Sequence, residues 1–171
     1  LSLPPSLRLG RPSALPAIAW VCGVGAMWLW HVPALCDAAA ANSAAHGFQS
    51  VSLLAMGTVF WWPIFAPHPG DRVAPWVGVA YLFSACLACT ALGVLITLTP
   101  LEVCPIFREP VDPYGMLATI RGPWGISAQR DRDIGGLLMW VPMCSAYVGA
   151  ILVEVMRWYN PASAGTLEAA S

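Results

Sequence analysis

Residues 75–99 read PWVGVAYLFSACLACTALGVLITLT. No Asp, Glu, Lys or Arg interrupts them, and the charge-free run extends from Val73 to Leu101. A bilayer core asks for about 20 mostly apolar residues in helical form. The stretch therefore predicts a membrane-spanning helix, opened at its first turn by Pro75 and followed by Pro100. The same test applied outward finds further uncharged runs at Pro12 to Cys36, Ala38 to Gly70 and Ile134 to Val153. Together they predict an all-α polytopic membrane protein, an up-down bundle of four transmembrane helices at about 14–32, 46–66, 75–99 and 134–156. Pro33 closes the first helix, Pro63 marks the end of the second, and Pro142 is expected to kink the fourth.

Composition points the same way. Of 171 residues, 58% are hydrophobic and 10% charged, with a mean hydropathy of +0.66. An average soluble domain carries about 25% charged residues, so this chain lacks the means to cover a water-facing surface. That excludes an ordinary cytosolic enzyme and a disordered segment. All eight basic residues are Arg and the net charge is −1, so no basic stripe tracks phosphates and no nucleic-acid partner is expected. The lipid bilayer is the expected partner, and residues 1–171 are expected to form a single transmembrane helical domain. Residues 1–12 read as the exit of an earlier element, as though N-terminal helices came before, and residues 100–133 as a long loop rich in Pro and Gly. Four arginines fall on each side of the bundle, so charge does not orient it.

One end of such a bundle collects the unusual residues. His31 ends the first helix, His46 opens the second, and Asp131 precedes the fourth. Two imidazoles and a carboxylate at helix ends on one membrane face are the donors of an N/O metal site, and equally the residues that meet headgroups or cap helices. Deeper, at a rise of about 1.5 Å per residue, Cys22, Met56, Cys89, Met143 and Cys144 bring sulfur from all four helices to a similar level. Soft thiolate and thioether donors suit Cu(I), although Cys and Met are also ordinary packing residues. Cys86 and Cys89 form a Cys-x-x-Cys, but a thiol in mid-helix is too deep for redox exchange with solvent, so packing is the better reading and a thiol oxidoreductase the poorer one. Cys36 and Cys104 are placed to meet in the outer loops. Glu154 and Arg157, three apart, pair on one face of the fourth helix far from the histidine end. No nucleophile elbow, His-Glu-x-x-His or phosphate loop occurs, and no enzymatic activity is expected.

Trp30-His31-Val32-Pro33, Ala45-His46-Gly47-Phe48, Phe60-Trp61-Trp62-Pro63 and Asp131 through Gly136-Leu137-Leu138-Met139-Trp140 together resemble the CtaG family of cytochrome c oxidase assembly proteins. The matches run in that family's order across nearly the whole chain. The resemblance implies a multi-pass protein of the bacterial inner membrane that handles copper for a haem-copper oxidase, with oxidase subunits as partners. It also implies cytoplasmic termini, with His31, His46 and Asp131 as the copper-handling positions on the outer face. Where the family follows its second-helix His with Glu-His, this chain has Gln49-Ser50, which removes one imidazole. That departure leaves open an alternative, a non-catalytic accessory subunit of a respiratory oxidase derived from such a factor.

Overall fold

A computed structural model describes residues 15–98, 112 and 114–159 of the chain. These form α1 (Leu15–Trp30), α2 (Pro33–Ala41), α3 (Ser43–Phe65), α4 (Pro75–Leu98), the short α5 (Leu117–Arg121) and α6 (Ala128–Tyr159), with a 3-10 turn at Pro69–Asp71. No strand occurs among the described residues. Three helices, α3, α4 and α6, are long and apolar enough to cross a membrane, and a fourth span results if α1 and α2 count as one. The chain is an all-helical membrane bundle.

The first span departs from the sequence expectation. Its helix ends at Trp30, and α2 leaves at an angle of 71° to α1. Proline explains the break: Pro33 disfavours helical backbone at Val32, which lies at φ −66° and ψ 129°. Pro33 then sits in the first turn of α2, where its missing N–H costs nothing. The first loop thus contains a helix that its alanines sustain. The second span starts at Ser43 rather than about 46, because the Asn42 side chain accepts hydrogen bonds from the Ala44 and Ala45 N–H groups (2.8 and 3.3 Å). Pro63 lies inside the last turn of this helix, not at its end. The fourth span runs from Ala128 to Tyr159 against the expected 134–156, passing through Pro142, so Asp131 lies within its first turn rather than before it.

Two antiparallel pairs build the bundle, α1 with α3 and α4 with α6, and α1 joins them along α4. Their shared core contains Val24 of α1, Phe60 and Ile64 of α3, Tyr81, Leu82, Ala85 and Cys89 of α4, and Tyr147 and Ala150 of α6. Lipid offers no hydrophobic drive between helices, so close packing and interhelical hydrogen bonds must hold them. The Tyr81 hydroxyl donates to the Phe60 carbonyl (2.8 Å), Trp30 Nε1 donates to Ser52 Oγ (2.8 Å), and Trp20 Nε1 donates to Ser84 Oγ (3.1 Å). Trp61 stacks on Tyr147 with ring centroids 5.6 Å apart.

The α4–α6 seam is the tightest. Gly93 of α4 receives the indole of Trp140, leaving no room for a Cβ, and Gly136 of α6 lies against Thr97. Overfilling such a contact costs about 1–3 kcal/mol. We therefore expect Gly93→Ala to destabilise the bundle by about that amount in a detergent unfolding titration. Gly57→Ala, whose Cβ meets nothing within 4 Å, should be neutral or slightly stabilising.

Candidate metal centre at the histidine end

The break at Pro33 sets up the chemistry of His31. At the end of α1 the His31 N–H bonds to the Trp28 carbonyl (3.1 Å), in a tightened i→i−3 turn. The Met27 carbonyl, one turn back, takes the His31 ring instead, with Nδ1 2.6 Å from the oxygen. A carbonyl only accepts, so Nδ1 carries the proton. In a neutral imidazole that leaves Nε2 with an open lone pair. Nε2 points across the bundle to the thioether of Met139 on α6, 3.3 Å away. A backbone carbonyl that fixes the ring and aims its other nitrogen is how metal-binding histidines are oriented.

Met139 is not among the donors expected from the sequence. Its signal lay in the neighbours. Gly136 and Trp140 fix the register of α6 on α4, and Met139 lies between them.

The other expected donors are placed as follows. The helix pairing brings His31, His46 and Asp131 to one end of the bundle. Among the described residues, however, no three His, Cys, Asp or Glu side chains gather as a metal cluster requires. His46 is exposed on the first turns of α3, with its carbonyl accepting from the Ser50 hydroxyl (3.0 Å). Asp131 is eight residues before Met139 on α6, about 12 Å farther out. It faces Arg121 of α5 at 4.0 Å, with its side chain 58% exposed. The α5 turn is held by Asp112, whose carboxylate accepts from the Leu117 N–H (2.8 Å) and the Met116 N–H (2.9 Å). The Leu117 contact first, then the others, hold Asp112 below the usual carboxylate range.

The deeper sulfurs are engaged with neighbours. Cys89 Sγ lies 3.7 Å from the Tyr147 hydroxyl, and Cys144 Sγ lies 3.3 Å from Thr90 Oγ1. Cys86 contacts Cys144, Cys22 lies near Tyr81, and Met143 packs against the core. Met56 is half-buried on α3. Cys22, Cys86, Cys89 and Cys144 are free thiols, whereas Cys36 on α2 is disulfide-bonded. Cys104, its expected partner, lies outside the described residues.

With this geometry in view, the chain matches the family described as cytochrome c oxidase caa3 assembly factor (Caa3_CtaG) over residues 5–161. The chain belongs to this family. It is also 23% identical over 145 residues to the uncharacterized protein ML1998 of Mycobacterium leprae. That match covers 84% of this chain and 20% of the relative, so the chain spans about a fifth of that protein's length. No solved structure matches it.

At the opposite end of this Caa3_CtaG chain lies a second polar centre. Glu154 is 0% exposed, and its Oε1 accepts from Arg157 Nη1 at 2.6 Å, as the spacing predicts. Its Oε2 has no partner among the described residues, and the carboxylate rests against Gly78. The burial exceeds that of an interfacial pair. Removing one partner of a buried pair strands the other charge, at about 3–5 kcal/mol. Arg157→Leu should therefore destabilise the protein by about that much, and Glu154→Gln in the same chain should recover most of it. A cost below about 1 kcal/mol, the value of an exposed pair, would mean that Glu154 reaches water.

Proposed function

We propose that this chain is a non-catalytic factor that takes up copper at the histidine-bearing end of the bundle and passes it to a haem-copper cytochrome c oxidase. The observation that carries the reading is His31: a backbone carbonyl fixes its proton, and its open nitrogen is turned into the bundle end. An imidazole so aimed is a ligand waiting for a metal. Copper is cargo here, so the chemistry is ligand exchange with no bond made or broken in a substrate. Few ligands bind loosely enough to release, and His46 and Asp131 at the same end offer N and O donors along the path of entry and handover.

Membership of the oxidase assembly family supports the choice of recipient. The disulfide at Cys36, on the same end as His31, supports an oxidising compartment there. On this reading the metal end lies outside the bacterial inner membrane and the opposite end faces the cytoplasm. This also puts copper on the face where an oxidase subunit exposed to that compartment receives it.

The test is complementation of a strain lacking this chain. His31→Ala should lower the copper-to-haem ratio of the membrane oxidase about tenfold or more relative to wild type, with His68→Ala without effect. Normal copper loading of the oxidase in the His31→Ala strain, with the variant present at wild-type levels, would contradict the reading. Co-purification of the chain at fixed stoichiometry with finished oxidase would favour an accessory subunit instead.

A further inference from the structure

The pairing of His31 with Met139 says more than that copper is handled. Nε2 and Sδ are 3.3 Å apart. With the Nδ1 proton spent on the Met27 carbonyl, the neutral form of the ring would offer a lone pair to an atom that also offers only lone pairs. A thioether is a weak acceptor of ordinary hydrogen bonds but a good donor to soft metals.

We propose that His31 Nε2 and Met139 Sδ form a two-ligand site for Cu(I) between α1 and α6. The inference rests on the reading that copper is the cargo, and it names the oxidation state and the second ligand. Three features favour a monovalent soft ion. Both ligands are uncharged, so the site offers no anion to a divalent ion, whose desolvation between apolar helices is costly. Along α6 the carboxylates of Asp133 and Asp131 lie about 9 and about 12 Å from Met139 by the helix rise, Asp133 accepting from Gln129 and Asp131 facing Arg121. One of the two donors is sulfur, which Mg(II) and Ca(II) avoid and which selects Cu(I). First-row metal–nitrogen and metal–sulfur bonds of about 2.0 and about 2.3 Å span about 4 Å when the ion sits between them. Met139 then needs to swing back by roughly 1 Å, within reach of an unbranched side chain. Its Cα stays in place because the Gly136–Thr97 and Trp140–Gly93 contacts clamp α6 on either side.

The test uses the full chain in detergent micelles under anaerobic conditions, with Cu(I) supplied against the chromophoric chelator bathocuproine disulfonate. Met139→Leu conserves volume and hydrophobicity and should weaken the tightest Cu(I) equivalent by about 10–100-fold while leaving Zn(II) binding unchanged. Ag(I), a redox-inert stand-in, should follow Cu(I). Met156→Leu, at the far end of α6, should bind as wild type. If His31→Ala fails to fold, Met139→Leu with unchanged helicity carries the test alone. Cu(I) affinity unaffected by Met139→Leu, or copper lost only on Cys89→Ala or Cys144→Ala, would overturn the site. The two readings also fail separately. Loss of Cu(I) binding in Met139→Leu with normal oxidase loading in cells keeps this site and removes the delivery role. Defective loading in His31→Ala with Cu(I) affinity intact in Met139→Leu keeps the delivery role and removes this site.

Discussion

The register of α6 on α4 is the constraint from which the rest of the bundle follows. In lipid, helices are held by how closely their backbones approach rather than by escape from water. Here Trp140 enters the space left by Gly93, Gly136 sits against Thr97, and Gly78 makes room for the Glu154 carboxylate. These contacts run the length of the pair and fix α6 in rotation as well as in height. The α1–α3 pair is then tied on by polar contacts from aromatic residues: Trp20 to Ser84 across to α4, Tyr81 to the Phe60 carbonyl, and Trp61 stacked on Tyr147. Met139 comes level with His31 because both sets of contacts hold at once.

The two ends of the bundle use polar groups differently. At the Arg72 and Arg157 end, Glu154 is closed in and neutralised within the chain, an arrangement that fixes structure. At the His31 end the donors are uncharged or half-exposed, and the ion pair between Arg121 and Asp131 is loose. Such an end can open to an ion and close again without stranding a charge. The transfer role proposed above calls for that asymmetry, with one end locked and the other labile.

Much of this was legible in the residues. Charge-free runs bounded by prolines gave the helices and their order, because the bilayer imposes a minimum length and forbids unpaired charge. Which end collects His31, His46 and Asp131 followed from alternation alone. The Glu154–Arg157 pair followed from helical spacing, though not its depth, which depends on Gly78 across the seam. Other features were out of reach for physical reasons. The helix at Pro33–Ala41 hides behind a proline that looks like a terminator but also starts helices, and Asn42 caps a helix four residues before His46. Convergence of His46 and Asp131 with His31 required equal height along the axis, and the extension of α6 back to Ala128 carries Asp131 beyond the rim. Met139 does not stand out from its apolar neighbours in the sequence, because hydrophobic sequence does not reveal rotation. The contacts of Gly93 with Trp140, Gly136 with Thr97 and Gly78 with Glu154 together set which way that face of α6 turns.

Copper supplied as Cu(I) to the purified chain offers the most direct measurement, an X-ray absorption fine-structure spectrum at the copper edge. A first shell containing one imidazole nitrogen and one sulfur, with the sulfur scatterer lost in Met139→Leu, is what this account predicts. A shell of nitrogen and oxygen alone, or of two or more sulfurs unaffected by that substitution, would contradict it.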